Sequence, residues 1–248
     1  MKKFKIIDVH THLWKGKYEE DIVELRQAME RHSIDRIVIS ALYSYSPSEA
    51  EVDELNAHVT DAVRRYPDQF SGYVYLNPFN ANCMDVLKRG VEEDGAVGVK
   101  LWVASYCDDP AVNPIFEKCI DYNIPILLHS FIKTVDQLPN ETVGTNVHNI
   151  ALRYPESKII MAHLGANCYH GVKAIRNDKN VSVDMSGSIY RRDDLDYTVS
   201  QVGTDRIVFG TDMTGSYNTN YGQILEADIT DSQRADILSG NAEKLFRF

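Results

Sequence analysis

Eight short runs of β-branched and other apolar residues recur along the chain, separated by segments with helical spacing. The runs are KIIDVHTH at 5–12, DRIVISALY at 35–43, FSGYVYLN at 70–77 and AVGVKLW at 96–102. They continue with IPILLHS at 124–130, KIIMAHLG at 158–165, NVSVDMSG at 180–187 and DRIVFGTDM at 205–213. Such continuous apolar runs predict strands buried on both faces, the pattern of a parallel sheet. Between them, Ile22, Leu25 and Met29, then Ile115, Phe116 and Cys119, then Val147, Ile150 and Ala151 fall on one side of a helix. Stop signals stand at Tyr66-Pro67, Asp94-Gly95, Tyr154-Pro155 and Val202-Gly203. One strand start follows another after roughly 25–35 residues, the size of a strand–helix unit. Eight such units in 248 residues predict an α/β fold, a single-domain (β/α)8 TIM barrel over residues 1–248. An open doubly wound sheet would carry a glycine-rich loop after its first strand, where this chain has Thr11-His12-Leu13-Trp14.

Composition narrows the function classes. A net charge of -10, with no lysine/arginine block, argues against nucleic acid or an anionic membrane as the main partner. No apolar run reaches the ~18–20 residues of a membrane helix. The start of the chain lacks the roughly 7–15-residue apolar stretch of a signal peptide, so a cytoplasmic location is expected. Cys83, Cys107, Cys119 and Cys168 form no CxxC pair and read as reduced thiols.

The chemistry concentrates at the strand ends. In Asp8-Val9-His10-Thr11-His12 the two histidines are two apart, so a strand places them on one face, with Val9 and Thr11 on the other. Two adjacent imidazoles make a bidentate site for a divalent metal. Lys100, His129, His163 and Asp212 stand near the C-terminal ends of strands four, five, six and eight. That edge is where barrels build active sites. Alternation predicts that Lys100 points with Gly98, His163 with Met161 and Asp212 with Val208, all inward. Six ionisable groups buried together cost several kcal/mol each unless paired or bound to a cation. A bound cation resolves this.

With these residues in view, the chain resembles the amidohydrolase superfamily, in its amidohydrolase-related branch with aminocarboxymuconate-semialdehyde decarboxylase. The resemblance covers the whole chain: DVHTH is similar to the strand-one HxH signature, LLHS and AHLG to the strand-five and strand-six histidines, FGTDM to the strand-eight Asp, and GNAEKLF to the family's ending. It implies a metal-dependent barrel in which His10, His12, His129 and Asp212 hold a divalent ion, zinc in the first instance. It also implies proton transfer by Asp212, and His163 polarising the substrate or acting as acid/base. A strand-four lysine bridges two ions in some relatives, so Lys100 and His163 are candidates for a second metal; one ion is the preferred expectation. Hydrolysis of a lactone, ester or amide of a small carbonyl compound is the main reading. Non-oxidative decarboxylation of an unsaturated or aromatic carboxylate is the alternative. The family's strand-four His-Pro is absent here, where Trp102 follows Leu101, and no proline follows Asp212 closely.

Loops after the strands offer substrate contacts: Trp14, Trp102, Tyr106, Tyr190 and Arg191, with Tyr43, Tyr45, Asn77, Ser130 and Tyr217 as further candidates. The aromatic groups suit pocket walls, and Arg191 suits a carboxylate. Asp184 is read as a supporting group, and His32, His58, His148 and His170 as structural or surface residues. With about 31 residues per unit, short loops must build a compact site. The partner is a small molecule; similar barrels are commonly homodimers, which is carried as an expectation.

Overall fold

The computed structural model describes residues 4–187 and 190–248. Its strands are β1 (Ile7–Trp14), β2 (Arg36–Leu42), β3 (Phe70–Tyr75), β4 (Gly98–Leu101), β5 (Pro125–Leu128), β6 (Lys158–Met161), β7 (Val181–Asp184) and β8 (Ile207–Val208). The strands are parallel and stand in sequence order around the sheet. The ring closes through Val9 N donating to Phe209 O at 3.0 Å and a bridge between Thr11 and Asp212. This is the (β/α)8 barrel that the alternation predicts.

The helices are α1 (Tyr18–His32), α2 (Glu49–Arg65), α3 (Cys83–Glu92), α4 (Asn113–Tyr122), α5 (Gly144–Arg153), α6 (Gly171–Ala174), α7 (Asp194–Val202) and α8 (Tyr217–Glu226). Two short ones, α9 (Asp231–Ala235) and α10 (Asn241–Leu245), end the chain. Helix α2 starts on a reciprocal cap: Ser48 accepts from Glu51 N while Glu51 accepts from Ser48 N. Such a cap satisfies two donors that a bare helix end leaves unpaired.

The core has two compartments. Between strands and helices, one layer packs Ile37, Ile39, Val99, Leu101, Ile126 and Met161 against the helices. Inside the barrel a smaller cluster holds Ile7, Val9, Val38, Tyr73, Leu127, Ile160, Ala162 and Val208. Phe246, just past α10, plugs the lower end and meets Tyr73 edge-on at 5.9 Å. Each apolar side chain buried in either layer contributes roughly 1.5–3 kcal/mol.

Two predicted facings need correction. In β1, Val9 lies inside the barrel with Ile7, not opposite the histidines. The register explains it: Asp8 faces Ile37 and Thr11 faces Ile39, so two β1 residues oppose one of β2. This β-bulge shifts the alternation by one, so Val9 and His10 both turn inward. Asp8 takes up the irregular backbone, accepting from His10 N (3.0 Å), Thr211 N (3.2 Å) and Thr211 Oγ1 (2.6 Å). Burial pushes its carboxyl up to about 7, against the pull of these hydrogen bonds. In β6, Met161 faces the helices and Ile160 the interior, the reverse of the expected pairing with His163. The strand stops at Met161, and His163 and Leu164 adopt left-handed backbone (φ 62° and 50°). That turn re-aims His163 into the site. All four cysteines are buried and free, as read from their spacing.

Candidate metal centre

The floor of the site is set by β1. His10 and His12 follow the bulge, and their Nε2 atoms converge to 3.0 Å. From across the seam of the barrel, Asp212 Oδ1 lies 3.2 Å from His12 Nε2 and 3.7 Å from His10 Nε2. Asp212 sits beyond the end of β8 on left-handed backbone (φ 65°), tied by its N–H to His10 O at 2.6 Å. Aspartate tolerates that conformation better than most residues. Its side chain remains 23% exposed, whereas both imidazoles are buried.

Each histidine is held from behind. His10 Nδ1 lies 2.9 Å from Asp184 Oδ2, and His12 Nδ1 lies 2.8 Å from Ser40 Oγ. A neutral His10 donating Nδ1–H to Asp184 has a bare Nε2, and Ser40 is placed to accept from His12 with the same result. Two bare nitrogens and a carboxylate oxygen then face one another, an arrangement that a cation among them stabilises. Ligating histidines characteristically donate their other N–H to a carboxylate or another acceptor. The donor set therefore fits a divalent ion, and His10, His12 and Asp212 lie within reach of one common centre. His10, His163 and Asp184 also cluster. There, however, Asp184 is already committed to His10, to Ser186 Oγ (2.5 Å) and to His163 N (3.1 Å). That group is the hydrogen-bonded frame behind the histidines.

Lys100 is fully buried in β4, with Nζ 3.1 Å from His10 Nε2. Burial lowers its pKa to about 8, while Asp212 and Asp184 support the charge. His129 and His163 form the far side, Nδ1 to Nε2 at 3.2 Å. His129 thus stands against His163, outside the tight group of His10, His12 and Asp212. Burial brings His163 down to about 4, and it also holds His10 and His12 below the usual histidine range. The histidines are neutral at pH 7, the form that binds metal. Burial pushes Asp212 up, but the close approach of His12 and of the other site histidines outweighs it and holds the carboxyl well below its usual range.

Ser186 Oγ bridges the two sides, 2.9 Å from His10 Nδ1 and 3.0 Å from His163 Nδ1. Next to it, Gly187 has φ 114°, and a Cβ there would come 3.0 Å from His163 Nδ1. Only glycine combines that backbone with so close an approach.

Above the histidines the mouth is aromatic. Trp14 meets His12 at 5.9 Å, Trp102 meets His129 at 6.5 Å, and Phe131 meets His163 at 5.6 Å between ring centres. Tyr45 stands 5.3 Å from Trp102. A cleft of about 410 Å³ runs from His12 and Asp212 past Trp14 and Leu25 to Met213. Tyr106 is exposed on the loop after β4. Tyr190 donates its hydroxyl to Gly187 O, and exposed Arg191 reaches Asn167 Oδ1 at 3.4 Å, so both belong to the rim. Asn77 braces the loops by donating to Pro47 O, and Tyr217 packs between His32 and Phe209; neither lines the mouth. His58 stacks on Tyr18 and His148 pairs with Asp178, in keeping with structural roles.

The supporting residues Ser40, Ser186 and Glu141 escaped the sequence reading. Ser40 lies two residues after inward-facing Val38, and Ser186 two after Asp184, so strand alternation could have found them. Glu141 sits in a loop with no periodic signal.

The amidohydrolase family model matches residues 7–248. The chain belongs to the amidohydrolase family. This metal-dependent family consists of enzymes, and its barrel recurs in solved structures of low identity. One is 2,6-dihydroxybenzoate decarboxylase from Rhizobium, at 17% identity and a TM-score of 0.76, with 98% of each chain covered. Another is a dihydroxybenzoic acid decarboxylase from Polaromonas with bound manganese, at 19% identity and a TM-score of 0.74, covering 98% of this chain and 96% of that one. A third is 4-oxalomesaconate hydratase from Rhodopseudomonas palustris, at 18% identity and a TM-score of 0.72, covering 97% and 95%. Among the described residues no helix is long and apolar enough to cross a membrane.

Proposed function

We propose that this amidohydrolase is a metal-dependent, non-oxidative decarboxylase of a small aromatic or conjugated carboxylate. The observation that carries the proposal is the aromatic mouth over the donor cluster, where Trp14, Trp102 and Phe131 each stand against a site histidine. Those walls suit a flat, unsaturated ring. The likeness to decarboxylases acting on hydroxybenzoates supports the same choice over hydrolysis, which the motifs alone had placed first.

His10, His12 and Asp212 would hold the ion, with His129 the fourth candidate. When bound, it supplies a Lewis acid that fixes and polarises substrate oxygens. Nitrogen and oxygen donors suit manganese as well as zinc, and manganese is the ion in one similar decarboxylase. The remaining work falls to the chain. Cleavage of the carbon–carboxylate bond leaves its electron pair on carbon, so carbon must receive a proton. Asp212 is partly open to the cleft and anionic in the free enzyme, so it takes a proton from an acidic substrate group and returns it to that carbon. His163 is neutral and held by Ser186, and it orients a substrate oxygen by hydrogen bonding. The aromatic rim orients the ring and excludes water.

The test is a panel of hydroxybenzoates and conjugated carboxylates beside lactones, esters and amides. It uses enzyme stripped by chelator and reloaded with Mn2+ or Zn2+. Metal-dependent carbon dioxide release, with no hydrolysis, is expected. Hydrolysis of a lactone or amide without carbon dioxide release would return the assignment to hydrolase chemistry.

A further inference from the structure

One buried carboxylate near the site is not used by the chemistry above. Glu141 lies in the loop between β5 and α5 and is 2% exposed. Its Oε1 is 3.0 Å from His129 Nε2. The same carboxylate accepts from Lys133 Nζ at 2.8 Å on both oxygens, from Gln137 Nε2 at 2.7 Å and from Leu138 N at 3.1 Å. Every one of these donors lies between residues 129 and 138. The loop is therefore wound around a single carboxylate, and that carboxylate ends on the back of a site histidine.

We propose that Glu141 is a positioning residue: it fixes His129 as the Nε2-protonated tautomer, presents bare Nδ1 to the site, and holds the loop that carries Phe131. An ionised carboxylate can only accept, so the proton between it and His129 resides on Nε2. Nδ1 is then left as a lone pair toward His163 Nε2, 3.2 Å away. Phe131, two residues along, lies parallel to the His129 ring at 6.0 Å (5° between planes) and edge-on to His163 at 5.6 Å. One side chain thereby sets both the electron pair offered to a cation and the aromatic wall offered to a substrate. The inference rests on the metal-dependent site proposed above but not on which bond that site cleaves.

The test needs no substrate. In 15N-histidine-labelled protein, long-range 15N–1H correlation spectra report which nitrogen of His129 carries the proton, and calorimetry with Mn2+ reports affinity. Wild type is expected to show the Nε2-protonated form. Glu141→Ala should lose that preference and weaken Mn2+ binding about 10–100-fold, the range for removing a partner behind a ligand. Lys133→Met, which disturbs the loop but leaves the carboxylate, should keep the tautomer. Glu141→Gln, which keeps shape and an acceptor oxygen, serves if the alanine variant does not fold. It should weaken Mn2+ binding in the same direction, at least about threefold. An unchanged tautomer in Glu141→Ala, or unchanged Mn2+ affinity in either Glu141 variant, overturns the proposal. So does a tautomer change in Lys133→Met as large as that in Glu141→Ala, because loop order alone would then explain it.

Discussion

The lower and upper halves of the barrel interior use opposite physics in one continuous space. Below, Ile7, Val38, Tyr73 and Phe246 fill the interior with close-packed apolar groups, and the Tyr73 hydroxyl donates to Val9 O at 2.8 Å. Above, His10, Lys100, His163 and Asp184 bury ionisable groups against one another. The lower half stabilises the fold and the upper half draws on that stability. Stacking one on the other keeps the polar groups rigid without giving them a packing role of their own.

The sharpest way to break this division is Asp212→Asn. Asparagine also tolerates left-handed backbone, so the fold should survive while the proposed proton carrier is lost. Turnover is expected to fall by about 10³–10⁴-fold, with circular dichroism and the denaturation midpoint retained. Unchanged turnover would remove Asp212 from the chemistry. The converse is Phe246→Ala at the bottom plug. It should lower unfolding free energy by about 3–5 kcal/mol in denaturant titrations. Turnover and Mn2+ affinity of the folded fraction should stay within about twofold of wild type. A large fall in either would show that the two halves are coupled. The smallest effect is expected from Ser40→Ala, which removes the partner of His12 Nδ1. It should weaken Mn2+ binding about tenfold in calorimetry while leaving stability of the metal-free protein nearly unchanged.

The same division shows what the amino-acid sequence made legible. Hydrophobic runs report burial, so all eight strands and the barrel could be read directly. Alternation then placed Lys100 and Val208 inward. It failed where the backbone leaves regular extension: at the bulge between Asp8 and Thr11, and at the left-handed turn through His163. Both departures occur where the site is built. His163 reaches the expected place by a route that alternation does not describe. Glu141 was invisible for another reason. Its burial comes from four donors gathered by a loop, and no local pattern of residue types encodes that convergence.

The donor group straddles the closing seam, where Asp212 N–H meets His10 O and Thr11 pairs with Asp212. During synthesis, the two histidines emerge from the ribosome some two hundred residues ahead of the carboxylate that completes them. A growing chain cannot assemble the full cation site until its last strand has docked beside its first. On the proposed assignment, metal loading would fall at the end of biogenesis, and the ion would fasten a ring that is already closed.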